Sequence, residues 1–220
     1  MKAFRKLQKL EETLGPEHPD TLRAVHGLGL TYIDQHRFAE AERQLERVLR
    51  GWEKVLGPEH PDTLLAAQSL GETYAKQGWL ADAERQLEHA LRGLEKALGP
   101  EHPDTLGTVH NLGLTYMDQG RLAAAERQLE RALRAWEKSL GPEHRDTLCA
   151  AYNLGRTYLK QDRLADAERQ LERALRGREK ELGPEHPDTL YAAHNLGVTY
   201  MKQGKLDKAK PLLKRAKKRG

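Results

Sequence analysis

The chain has 220 residues, 38% hydrophobic, 5% aromatic and 32% charged, with a formal net charge of +4 and a sequence pI near 9.1. No stretch approaches the ~20 uninterrupted apolar residues of a spanning helix, and MKAFRKLQKLEETLG offers no signal-peptide core, so the expectation is a cytoplasmic protein with no membrane partner. One cysteine, Cys149, excludes a disulfide framework or a cysteine metal cluster, and so few aromatics argue against one large globular core.

Taken from the N-terminus, residues 1–17 read as half a helix and a linker, with Leu7 and Leu14 aligning with Leu49 and Leu56. A chain that starts in mid-unit has the look of a segment of a longer array, or of an engineered one. From Leu14 onward the string LGPEHPDTL, or a near copy, returns at Leu56, Leu98, Leu140 and Leu182, always 42 residues on. So strict a period means one supersecondary module stacked on its like, a solenoid. The units are 18–59, 60–101, 102–143, 144–185 and a capping unit 186–220, forming a single array.

Within a unit, Leu64, Ala67, Leu70, Gly71, Tyr74 and Ala75 keep helical spacing up to Gln77-Gly78. A second helical run, Leu80, Ala83, Leu87, Ala90, Leu91, Leu94 and Leu98, stops at Gly99-Pro100. These are helices A and B of the unit. Pro61 and Asp62 suit the first turn of helix A, and Gly57, Gly99, Gly141 and Gly183 suit left-handed C-caps of helix B. The reading is eleven helices and no strand. Gly71 recurs in every helix A opposite the alanines of helix B; glycine inside a helix costs ~1 kcal/mol against alanine, so close helix approach must give something back. In the last unit Lys217 replaces a core leucine and Pro211 should bend helix B slightly.

The set Leu112, Gly113, Tyr116, Gly120, Ala125, Leu129 and Ala132 resembles the tetratricopeptide repeat (TPR), and the 42-residue form with its LGPEHPDT junction is similar to the repeats of kinesin light chains. The resemblance covers essentially the whole chain. It implies an all-α, right-handed superhelical solenoid of antiparallel helix pairs whose A helices line a concave groove, and a non-enzymatic scaffold that binds a protein or peptide there. Arg145 for the linker proline and Val48 for an alanine depart from the pattern.

No nucleotide-binding glycine loop, HExxH pair or nucleophile elbow is present, so no cofactor and no catalysis are expected. Zinc needs three or four ligands at ~2 Å, whereas His18, His60, His102, His144 and His186 recur once per unit, so they read as helix-start residues and no metal is expected. The alternating charges Arg43, Glu46, Arg50 and Glu53 read as a solvated face. On helix A, columns that change between units are not dictated by packing: His26, Gln68, His110, Tyr152 and His194 in one, with Glu72 and Arg156 in another. Asn111, Asn153 and Asn195 share a column, and an asparagine offers both donor and acceptor to an extended peptide; in the resembled family, asparagines at this place often do so. With Lys160 and Lys202, these residues are the candidate groove. Its sign changes along the chain: Asp34, Glu72 and Asp118 come first, with Lys76 the exception, then Arg156, Lys160 and Lys202. The expected ligand is therefore acidic where it meets the C-terminal half.

Two other readings compete. Units beginning at His18 and His102 differ at about ten of 42 positions, which fits a designed, idealised or excised array with no evolved ligand, self-associating head to tail. From His186 onward nine Lys/Arg face two Asp/Glu, including Lys205, Lys208, Lys210, Lys214, Arg215, Lys217, Lys218 and Arg219. No aromatics are interleaved for base stacking, so a solvated cap without specific nucleic-acid binding is expected.

Overall fold

The computed structural model describes residues 2–217, with side chains from Leu7 onward, so Lys218 and Arg219 of the basic terminus lie outside the described residues. It contains α1 (Lys2–Leu14), α2 (Pro19–Asp34), α3 (Phe38–Val55), α4 (Pro61–Gln77), α5 (Leu80–Leu98), α6 (Pro103–Asp118), α7 (Leu122–Leu140), α8 (Arg145–Lys160), α9 (Leu164–Leu182), α10 (Pro187–Lys202) and α11 (Leu206–Lys217). Among the described residues there is no strand, and no helix is long and apolar enough to cross a membrane. The chain divides into two compact units, one ending at Thr115 and one beginning at Tyr116.

In the first unit short connections fold α3, α4 and α5 each back on its predecessor, and α1 packs on α2. The core holds Leu7, Leu22, Val25, Val48, Trp52 and Ala66, followed by a layer of Ala41, Leu45 and Leu70. Each leucine buried in this way contributes about 1.5–3 kcal/mol. The recurring glycine of helix A has its reason here. A Cβ on Gly71 would stand 2.8 Å from Leu87 Cγ, and one on Gly29 2.9 Å from Leu45. Helix B carries a matching glycine that periodicity did not single out, since a Cβ on Gly93 would meet Leu64 at 2.5 Å.

In the second unit the same arrangement runs through α7 to α11, with Gly155 against Leu171 and Gly197 against Leu213. Leu148, Leu154, Leu171 and Ala174 are buried at its centre.

The linker string starts each helix A in the same way. His60 sits at the N-cap with extended backbone, its Nδ1 accepts the backbone N–H of Asp62 at 3.1 Å, and Pro61 takes the first helical position. His18 and His186 do the same at α2 and α10, and His144 caps α8 in the same way, with Arg145 in place of the proline. The linker glycines depart from expectation. Gly99, Gly141 and Gly183 have positive φ, but ψ of 163°, 164° and 163° places them in a glycine-only extended region rather than the left-handed helical one. The chain therefore leaves helix B straight into the linker instead of coiling back. A left-handed residue does occur at the turn from A to B, where Gly78 has φ 83°, and His36 and Asp162 hold the equivalent place with φ of 57° and 60°.

Successive repeats are tied by polar contacts that the alternating-charge reading of helix B did not foresee. Tyr74 donates its hydroxyl to Glu46 (3.4 Å), Tyr158 to Glu130 (2.8 Å) and Tyr200 to Glu172. Burial, with Glu46 and Glu42 adding to it, pushes the Tyr74 phenol up to about 12. Gln77, Gln161 and Gln203 donate to Glu42, Glu126 and Glu168 at 2.8–2.9 Å. Of that alternating stripe, the exposed Arg50 lies 3.7 Å from the half-buried Glu46, a pair worth a few tenths of a kcal/mol.

Candidate binding surface

The candidate residues all lie on A helices, but they fall into two sets, one in each compact unit. In the first, His26 of α2 is half-buried with its ring 5.3 Å from that of Trp52, and its Nε2 lies 3.1 Å from Ser69 Oγ on α4. Ser69 gives its own proton to the Leu65 carbonyl, which makes the imidazole N–H the donor to Ser69 Oγ. Burial lowers the His26 pKa below its usual 6.5, against a smaller upward pull from Asp62. Gln68 accepts a hydrogen bond from Thr108 of α6 at 3.0 Å. Glu72 is half-buried; burial raises its carboxyl, Lys76 opposes that and Asp34 reinforces it. His110 is buried and Asn111 half-buried on α6.

The second set is built around Tyr152. Its hydroxyl accepts from Asn195 Nδ2 on α10 at 2.8 Å, an amide that also donates to the Tyr191 carbonyl at 3.1 Å. The Arg156 guanidinium lies 5.6 Å from the Tyr152 ring centroid and donates to Asn153 Oδ1 at 3.2 Å. Asn153 is buried and reaches Cys149 Sγ at 3.6 Å. Burial pushes the Cys149 thiol up, opposed in part by Arg178. Asn153 and Asn195 are thus engaged inside the repeats, and a ligand that used them would have to exchange these bonds.

Arg178 is the residue that the sequence reading missed. It stands on α9 where α3 and α7 carry Trp52 and Trp136 and α5 carries Leu94. Its guanidinium lies 4.1 Å from the Tyr152 centroid and donates to the Asp188 carbonyl at 2.9 Å. The signal was present as a column of large apolar residues broken once by an arginine. Two guanidiniums therefore converge on one phenol ring, each attracted by its π face. Lys160 is exposed at the end of α8. Lys202 turns instead to Asp162 in the turn before α9, with Nζ 2.9 Å from the carboxylate, so its charge is offset. His194 is exposed on α10 beside Asn195. Among the described residues no three His, Cys, Asp or Glu side chains are grouped to hold a metal ion.

A helix-pair array in which the buried glycines Gly29, Gly71, Gly155 and Gly197 each face a leucine of the paired helix, with a variable polar face on its A helices, defines a helical repeat protein. The tetratricopeptide repeat family matches residues 5–54, 26–96, 104–180 and 163–219, and the chain belongs to that family. It is similar to the crystal structure of a Podosopora anserina protein assigned to the kinesin light chains, with nearly identical TPR-like repeats. That likeness has 31% identity and a TM-score of 0.75, over 90% of this chain and 94% of that one. BtubC (BKLC) from P. vanneervenii is 22% identical with a TM-score of 0.81, over 98% and 87% of the two chains. A Rap protein solved in complex with competence and sporulation factor has the same fold, at 17% identity and a TM-score of 0.76, over 98% of this chain and 58% of that one. No curated protein matches in sequence. The fold is one that commonly mediates protein–protein interaction, and its family is generally non-enzymatic.

Proposed function

We propose that the repeats 18–59, 60–101, 102–143, 144–185 and 186–220 form one binding array that holds a segment of a partner protein along its A helices. The segment's acidic residues meet Tyr152, Arg156, Arg178 and Lys160. The observation that carries this reading is the pair of guanidiniums gathered on Tyr152 beside two asparagine amides. Structural packing alone does not call for Arg178, because tryptophan or leucine fills its place in the other repeats. Charge-assisted bonds from arginine to a carboxylate are short and about twice as strong as neutral ones. The peptide-bound Rap protein supports the reading by analogy of fold only.

The test is a peptide-library selection on the folded chain, repeated with Arg156→Glu and Arg178→Glu. Acidic sequences should dominate the first selection, and their affinity should fall at least tenfold in the double variant, about 1.4 kcal/mol. Unchanged affinity for the selected acidic peptides would remove this placement.

A further inference from the structure

Among the positions at which helix B of the last repeat departs from α9, three line one place. Lys208, Pro211 and Leu212 of α11 stand where α9 has Asp166, Arg169 and Gln170. In α9 that set closes on itself: Asp166 pairs with Arg163 at 2.7 Å and with Arg169 at 3.4 Å, and Gln170 is buried. In α11 the shorter Pro211 and Leu212 leave an open cleft of about 460 Å³ between α9 and α11. Leu196 and Tyr200 of α10 and Leu175 of α9 complete its apolar lining. Cavities of about 300–1,000 Å³ are the size that takes small ligands or a few large side chains.

The rim is positive. Glu172 is engaged by the Tyr200 hydroxyl, Lys208 Nζ stands 5.1 Å from the Tyr200 ring centroid, and Arg176 is exposed with no ion pair among the described residues. In α5 and α7 the arginines of that register, Arg92 and Arg134, each pair with a glutamate at 3.5 Å. The cleft shares no residue with the surface around Tyr152.

We propose that this cleft is a second docking site, for a peptide segment of a partner protein that presents large apolar side chains flanked by carboxylates. Leucine or phenylalanine would enter between α9 and α11, and the carboxylates would meet Arg176 and Lys208. Apolar contact supplies the bulk of the affinity and the cationic rim supplies the selectivity.

The test is a methyl NMR titration of the whole chain with acetyl-Asp-Leu-Phe-Glu-amide. Saturable shifts are expected at Leu175 and Leu196, with a Kd on the order of 0.1–1 mM, and at least about fivefold weaker binding of acetyl-Lys-Leu-Phe-Lys-amide. Leu212→Gln, and the triple change Lys208→Asp, Pro211→Arg, Leu212→Gln, restore residues that α9 already carries and should abolish the shifts with helix content unchanged. Equal binding of the two peptides, persistence in Leu212→Gln, or shifts confined to the α8 face would each overturn the proposal. Tighter binding of octanoate than of the acidic peptide would overturn the peptide as occupant.

Discussion

His26 illustrates how much a single position in this array can carry. Its ring packs on Trp52, its N–H is used by Ser69, and burial disfavours the imidazolium. A group that is neutral in the fold but takes a proton when unfolded makes stability fall as pH drops below the unfolded value of 6.5. We expect His26→Gln, which installs the residue of the Gln68 register, to lose less stability than wild type between about pH 7.5 and pH 5.5 in urea denaturation. Parallel losses would show that His26 contributes nothing to the slope. The glycine that meets Leu87 was legible in the sequence because its penalty recurs at a fixed spacing. The bond between Tyr152 and Asn195 was not, because it joins adjacent columns of neighbouring repeats. Column-by-column reading separates those two residues.

At the scale of one helix, the start of every A helix rests on the same few atoms. The imidazole Nδ1 of His60 satisfies an N–H that the helix itself leaves without a partner, and Pro61 removes another from the account. Replacing His60 by alanine should cost about 1 kcal/mol, with asparagine recovering most of it. A urea midpoint for each variant checks this, and an alanine variant as stable as wild type would assign the cap no role. The recurring histidine was read correctly as a helix-start residue, since spacing alone separated the five copies. The backbone beyond helix B was read less well. Positive φ follows from a glycine, but ψ is decided by where the linker must go next, and no local pattern encodes that.

For the molecule as a whole, stability in a repeat array is a sum of each repeat and its contacts with the next. In the second unit the terminal helix has the least of both: Ala209 is the buried residue of α11, whereas Ala167, Leu171, Ala174 and Leu175 are all buried in α9. Pro211 also removes a backbone donor inside α11. Amide hydrogen exchange should therefore be fastest in α11, slower in α10 and slowest in α9. The reverse order would contradict a stack that frays from its end. The fold class was legible because one period dictates it, whereas Arg178 escaped because its column reads as packing and only the fold brings its charge beside Tyr152.

The ties between repeats have one more consequence. Tyrosine reaches back 28 residues to a glutamate in both units, glutamine reaches back 35, and Arg47, Arg173 and Arg215 each reach back 31 to a linker proline carbonyl. Every such reach is shorter than one period of 42. Within each unit the bonds therefore repeat like hooks and eyes, although His89 stands where the other repeats carry the arginine. Cutting out or adding 42 residues at equivalent points within a unit keeps each tyrosine and glutamine facing a glutamate, so a unit's length can be edited in whole repeats but not in fractions of one.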